Sequence, residues 1–363
     1  MATIGVGING MGVLGRRLFR MIYEDCGESS STPLEIKQIN DPYTDPNLAK
    51  YLIERDTVYG RRSFSITVVD NNDGTYNFVV NGQTILYTMY KPSSTAKDRW
   101  ANCNWGENNA LYVIDCMGKY LTEEEQQSHI SASANYVITC TDSTAVTYPI
   151  FVWGVNSSAI SKDNLVIGIP SGDLIATSIM ANFLNARFTI LDMLCEHIVS
   201  YTNLNNLQDS ALSKDTPQIG RAGAWNIIPC KSNVGKMLGL PVPVLNGKAQ
   251  SFEHRCGTIA GSHTDLFANL KSDFDAETFY AEVKAQVAET ISGAYKAEVP
   301  CMAYSKDTLE TSSDTIGNPA VICNANNYTL RGTTFVRVGV SYDSISVQAA
   351  NAILLTLYTK ANF

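Results

Sequence analysis

The chain has 363 residues, 45% of them hydrophobic and 17% charged, which is enough apolar material for two domains with separate cores. A formal net charge of −8, with basic residues scattered and never clustered, argues against a nucleic-acid partner held by phosphate attraction. No apolar stretch is long enough to span a bilayer and no signal pattern opens the chain, so no membrane partner is expected. The nine cysteines (Cys26, Cys103, Cys116, Cys140, Cys195, Cys230, Cys256, Cys301 and Cys323) are odd in number and lack C-x-x-C spacing. That usage reads as reduced thiols in a cytoplasmic compartment and not as a disulfide or zinc framework, and no metal site is expected. The low charged fraction fits extensive contacts between subunits.

In chain order, the first informative segment is the apolar run Thr3-Ile4-Gly5-Val6-Gly7-Ile8-Asn9, ending in Gly10-Met11-Gly12-Val13-Leu14-Gly15. A helical pattern follows, with Leu14, Leu18, Met21 and Ile22 on one face. In such a strand–turn–helix the first glycine makes the tight turn, the second lets backbone approach a pyrophosphate, and the third lets helix pack on strand. Gly5, Gly7 and Gly10 also fit G-x-G-x-x-G, but that frame leaves too little chain before it for a strand. An acidic residue at the end of the next strand should accept from a ribose hydroxyl and repel a 2′-phosphate; Asp41, after Ile36 to Asn40, stands there. Residues 65–69 and 76–80 read as strands around the turn Asp70-Asn71-Asn72-Asp73-Gly74, and Asn81-Gly82 marks a second tight hairpin. Leu121 to Ile130 and Leu174 to Leu184 read as helices. Asn203 to Ile219 is a polar stretch too long for a casual connection. Asp275 to Ser292 spaces Phe279, Val283, Val287 and Ile291 as one helical face, and Ser346 to Tyr358 forms a last helix.

Several of these segments together resemble the glyceraldehyde-3-phosphate dehydrogenase family over nearly the whole chain. The resemblance rests on Gly7 to Arg16 with Ile39-Asn40-Asp41-Pro42-Tyr43, on Tyr112 to Gly118, and on Phe151-Val152-Trp153-Gly154-Val155-Asn156. Ala224-Trp225-Asn226-Ile227-Ile228-Pro229, Val244-Leu245-Asn246-Gly247-Lys248 and Tyr342-Asp343 extend it. It implies an α/β fold in which residues 1–170 form a Rossmann NAD-binding domain and residues 171–343 a catalytic-type α+β domain with an antiparallel sheet. The helix in residues 344–363 would pack back on the first domain. It further implies cofactor contacts at Asn9, Gly10, Met11, Gly12, Val13, Leu14, Asp41, Gly118, Tyr120 and Thr139, and phosphate contacts at Arg255 and Ser232. The stretch Asn203 to Ile219 would lie between subunits of a tetramer or dimer.

The chemistry of the family is missing. Its thiol nucleophile sits at a helix N-terminus, and the matching position is Gly172, or Ser171 in a register slipped by one; no cysteine lies between Cys140 and Cys195. Its histidine base falls on Ser200 counting back from Asn226, or on Val199 counting forward from Gly172. His197 is one of four histidines in the chain, and three residues from Ser200 on a strand it would face the other way. Asp173 follows where the family binds phosphate with a threonine, and Ser344 and Gln348 replace its nicotinamide-side asparagine and tyrosine. The expectation is a catalytically inactive relative that holds NAD without turnover and works in a structural or assembly role. The alternatives are an NAD-dependent aldehyde dehydrogenase with a non-standard site and a module sensing NAD or a sugar phosphate.

Overall fold

The computed structural model describes residues 3–25, 34–62, 64–141, 143–212, 214–292, 302–305 and 311–363, so Cys26 and Cys301 lie outside the described residues. They fall into two compact units: Met1–Phe151 with Ala159–Pro170 and Gln348–Phe363, and Val152–Ser158 with Ser171–Val347.

The first unit is built from β1 (Ile4–Asn9), α1 (Val13–Arg20), β2 (Leu34–Asn40), α2 (Pro46–Glu54) and the two-residue strands β3 (Arg55–Asp56) and β4 (Gly60–Arg61). It continues with β5 (Ile66–Asp70), β6 (Tyr76–Val80), β7 (Gln83–Thr88), β8 (Tyr112–Asp115), α3 (Glu123–Ser131), β9 (Tyr136–Cys140) and β10 (Val166–Ile169). Eight strands form one sheet in the order β10-β9-β8-β1-β2-β7-β6-β5. The five from β10 to β2 run parallel, and β2 pairs parallel with β7, whereas β5, β6 and β7 form an antiparallel meander at the edge. Both hairpin turns match the reading of their sequence. Asn81 and Gly82 have φ of 50° and 79°, the positive pair a two-residue turn needs. Helix α3 opens two residues into the expected segment because Thr122 and Glu125 form a reciprocal capping box. Every residue of β1 is buried, as expected for a central parallel strand covered on both faces.

The second unit contains α4 (Gly172–Phe188), β11 (Ile190–Ser200), β12 (Ile228–Lys231), α5 (Val234–Met237), β13 (Ala249–Cys256) and β14 (Ser262–Leu270). It is completed by α6 (Ala276–Ser292), β15 (Met302–Ser305), β16 (Val321–Arg331), β17 (Phe335–Tyr342) and the start of α7 (Ser344–Asn362). The sheet order is β12-β13-β11-β14-β17-β16-β15, mostly antiparallel, with parallel pairs at β11–β13 and β15–β16. Helix α4 packs on β11, β14 and β17. It runs longer than its sequence pattern at both ends and starts at Gly172, because Ser171 caps it through Leu174 N–H (3.5 Å). On α6, Phe279 and Val283 are fully buried as the spacing predicts, and the side chain of Ile291 is outside the described set. The stretch after β11 is irregular apart from a single turn at Pro217–Gly220, and it exposes Leu204, Leu207 and Leu212.

Gly5 and Gly7 sit inside β1 and not in a turn, so the later glycine frame is the one used. A Cβ on Gly5 would lie 1.8 Å from the Asn109 carbonyl oxygen. Gly5→Ala is therefore expected to lower stability by about 1–3 kcal/mol, because backbone must move to admit the methyl. Urea unfolding monitored by circular dichroism measures this, and an unchanged midpoint contradicts it.

Candidate functional site

Two separate groups of residues bear on function, one in each unit. The first lies at the carboxyl ends of β1, β2, β8 and β9, where a doubly wound sheet binds its ligand. Gly10 turns the chain with φ of +97° and donates its N–H to the Asn40 carbonyl at 2.7 Å. Gly12 precedes α1 with no side-chain cap on the helix, and a Cβ built on it meets nothing within 4 Å. Val13 is exposed beside it, and no acid occupies the first turn. An uncapped helix start over open space is what a pyrophosphate needs, since N–H groups and helix dipole both favour an anion there. Met11, by contrast, is buried, and Leu14 is half-buried.

The buried carboxylate of Asp41 organises this turn. One oxygen accepts from Met11 N–H (2.7 Å) and the other from Tyr43 N–H (2.8 Å) and Thr44 N–H (3.0 Å). A carboxylate offers about four acceptor positions, so one remains beyond these three. Gly118 is exposed at φ of +63°, and Tyr120 stands half-buried against the edge of Trp100. Lys119 lies over the exposed Tyr43 ring at 5.2 Å. Asn9 and Thr139 are interior. The Asn9 amide donates to Asp115 (3.3 Å) and accepts from Asn40 (2.9 Å), so its side chain holds strand ends together.

The second group lies on the face of the second sheet that α4 covers. Cross-strand register sets Cys230 opposite Glu253, Glu253 opposite His197, and His197 opposite Thr264, a row of polar side chains across four strands. Asp173, in the first turn of α4, completes it. Tyr342 Oη lies 2.9 Å from Asp173 Oδ1 and 2.8 Å from Thr264 Oγ1, which is 2.8 Å from His197 Nδ1. Ser344 Oγ adds a hydrogen bond to the same Asp173 oxygen at 3.3 Å. With Asp173 ionised, Tyr342 donates to it, Thr264 donates to Tyr342, and His197 donates from Nδ1, which leaves Nε2 as the unprotonated nitrogen. That Nε2 is buried with no hydrogen-bond partner among the described residues.

Burial sets the ionisation of this cluster. It raises the Asp173 carboxyl above its ordinary range, against the pull of Tyr342, Ser344 and the charge of Arg255. Glu253 is raised by burial and by the charge of Asp173, against Arg255. His197 is held neutral down to about pH 4 by desolvation. Arg255 is already engaged: its Nε donates to Glu253 (2.9 Å) and Nη1 to Thr202 Oγ1 (2.8 Å). A guanidinium whose charge a carboxylate neutralises is a weak phosphate clamp. Ser232, the other anion candidate, accepts from Val234 N–H (3.3 Å) at the start of α5.

Residues 4–123 match the family model described as glyceraldehyde 3-phosphate dehydrogenase, NAD binding domain, and residues 176–344 match the C-terminal domain of the same enzyme. The chain belongs to the glyceraldehyde-3-phosphate dehydrogenase family. It is 29% identical to the glyceraldehyde-3-phosphate dehydrogenase of Cochliobolus lunatus over 94% of this chain and 93% of that one. It is 30% identical to that of Phaeosphaeria nodorum over 87% and 85% of the two chains, and to that of Colletotrichum lindemuthianum over 95% and 94%. The first unit thus carries the NAD-binding domain of the family.

At Gly172, where the sequence resemblance puts the family's nucleophile, a Cβ would lie 2.4 Å from the Ser344 carbonyl oxygen and 2.5 Å from its Cα. Ser171, the alternative, is spent as the cap of α4. On β11, Cys195, His197 and Val199 are buried on one face, while Ser200 lies half-buried on the other. His197 thus points away from Ser200, as its spacing predicts, and shares the face of Val199. Gln348 donates to the Pro170 carbonyl (2.8 Å). Glu253 and Thr264 escaped the sequence reading. Glu253 was within reach, since period-two alternation puts it on the face of Arg255; Thr264 becomes visible only through strand register.

The buried histidine gives a pH signature. Its pKa of about 4 in the fold lies below the free value of 6.5, so on acidification the unfolded chain binds the proton first. The stability present above pH 6.5 is therefore lost as pH falls toward 4, by about 3 kcal/mol for this one group. His197→Gln is expected to flatten the decline of the urea midpoint across that interval. An identical decline in both proteins would remove His197 as its source.

Proposed function

We propose that the protein binds NAD through the turn at Gly10–Gly12 and Asp41 and does not use its hydride, acting as a non-catalytic, self-associating member of its family. The observation that carries this reading is the contact between Gly172 and Ser344. The position where the family places its thiol is filled by the backbone of another element, and no side chain can stand there without moving α7. The base position, Val199 or Ser200, offers nothing that accepts a proton at neutral pH. Arg255 in an ion pair with Glu253 supports the same conclusion for substrate phosphate. The open helix start at Gly12, with the remaining acceptor position on Asp41, supports retention of the dinucleotide; when bound, NAD would supply a hydride acceptor, and the chain has no thiol at Gly172 to form the substrate adduct that gives up a hydride.

Self-association as a homodimer or tetramer, with a role in a larger assembly, is supported by the apolar surface of the second unit. Trp225 is 89% exposed, Leu207 84% and Ile227 74%, more than a lone subunit leaves open without cost. A cytoplasmic setting fits the seven free cysteines among the described residues.

The deciding experiment measures NADH production with glyceraldehyde 3-phosphate, NAD and phosphate beside an authentic dehydrogenase, together with a calorimetric NAD titration. The expected result is binding without turnover, with affinity falling at least tenfold in Asp41→Ala. Gly172→Cys is expected to restore no turnover and to cost about 1–3 kcal/mol of stability, because the thiol must displace Ser344. Turnover by the native protein that survives Ser171→Ala would sink the proposal and favour the enzyme reading. Absence of any NAD binding would remove the cofactor from it.

A further inference from the structure

Strands β8 and β9 run parallel and in register, with Asp115 opposite Thr139. One residue further along stand Cys116, just past the end of β8, and Cys140, the last residue of β9. Alternation puts both side chains on the face opposite Asp115 and Thr139. The Cys140 thiol is the foremost cause of the raised Cys116 pKa, as expected of sulfurs on adjacent chains. Neighbouring strands lie about 4.8 Å apart, inside the Cα separation of roughly 4.4–6.8 Å that a disulfide spans. Both residues are free cysteines, Cys140 buried and Cys116 partly accessible. No other pair among the cysteines is joined in this way by the described contacts.

The pair abuts the dinucleotide turn. Cys116 N–H donates to the Asn9 carbonyl (2.8 Å), which ties it to the end of β1 immediately before Gly10. A Cβ on Gly10 would lie 3.3 Å from the carbonyl carbon of Cys116 and 2.8 Å from Met117 Sδ, so turn and cysteine backbone have no slack between them. Any shift of Cys116 toward Cys140 is transmitted to Gly10.

We propose that Cys116 and Cys140 form a reversible dithiol–disulfide pair at the edge of the NAD site, and that its oxidation weakens dinucleotide binding. The oxidant is a peroxide. The Cys116 sulfur attacks the O–O bond of hydrogen peroxide and becomes a sulfenic acid, releasing one water. The Cys140 sulfur then attacks that sulfur, the S–O bond breaks, and the second water leaves. Two thiols lose two electrons and two protons, and hydrogen peroxide is reduced to two waters. A dithiol reductant reverses the change by exchange. The neighbouring Cys140 thiol, followed by desolvation, raises the Cys116 pKa, so the thiolate is scarce and the reaction is slow compared with that of an activated thiol.

The test uses the full-length protein treated with hydrogen peroxide, followed by alkylation, digestion and mass spectrometry. The expected result is a linked peptide pair carrying Cys116 and Cys140, two hydrogens lighter than the reduced peptides and abolished by dithiothreitol. Alkylation of both residues after treatment that oxidises other thiols in the chain overturns the pairing. In parallel, NAD is titrated into reduced and oxidised protein. This arm rests on NAD binding by the reduced form, so its absence there would count against the cofactor reading and leave the peptide result to judge the pair. The expected loss on oxidation is at least tenfold, reversed by dithiothreitol and absent in Cys140→Ser. Should that variant fail to fold, Cys116→Ser serves the same purpose. A linked pair with unchanged NAD affinity overturns the coupling to the turn.

Discussion

The carboxyl group of Asp173 is the joint around which the second unit is arranged. A carboxylate in the first turn of a helix normally gains from the dipole, by about 0.3–1 kcal/mol. Here burial outweighs that gain, and the group titrates above its ordinary range. The hydrogen bonds from Tyr342 and Ser344 compensate in part, and they join the start of α4 to the end of β17 and the start of α7. The same closeness brings Ser344 backbone against Gly172, so the residue before the acid cannot carry a side chain. One buried acid and one glycine therefore make this helix N-terminus a packed structural contact.

The row behind that contact follows the same logic. Cys230, Glu253, His197 and Thr264 stand side by side under α4, where an apolar row would ordinarily lie. Glu253 takes up the charge of Arg255, and the neutral His197 donates a hydrogen bond to Thr264, which donates in turn to Tyr342. Buried polar groups hold together only when nearly all are partnered. The Nε2 of His197, without a partner among the described residues, is the exception in this row, and the burial that keeps the ring neutral makes the region sensitive to acid. The first unit contrasts with this closure. Its glycine turn keeps an uncapped helix start and an acid with an acceptor position to spare, features a purely structural turn has no need to keep.

Much of the architecture was legible because it depends on local pattern. The Asn81-Gly82 turn, the Thr122 cap and the apolar spacing of Phe279 and Val283 each carry their own signal within a few residues. The candidate site was legible in its absences: no cysteine near Gly172 and no histidine at Val199 or Ser200 can be read without coordinates. Asn9 illustrates the opposite case. Its place in the glycine motif suggests a cofactor contact, yet its amide is bonded between Asn40 and Asp115, residues distant in sequence.

What the sequence determined by itself is the family, the two-domain α/β plan, the glycine turn with Asp41, and the absence of a cysteine near Gly172 and of a histidine at Val199 or Ser200. Periodicity, turn chemistry and residue identity suffice for these, since each is written in a short window or a single position. Tertiary structure alone decided what surrounds those positions. Asp173 meets Tyr342 across 169 positions of sequence, and His197 meets Thr264 across 67. Strand register and helix packing create those contacts, and the paired thiols of Cys116 and Cys140 likewise. Nothing local to any of these residues specifies which partner the sheet will set opposite it.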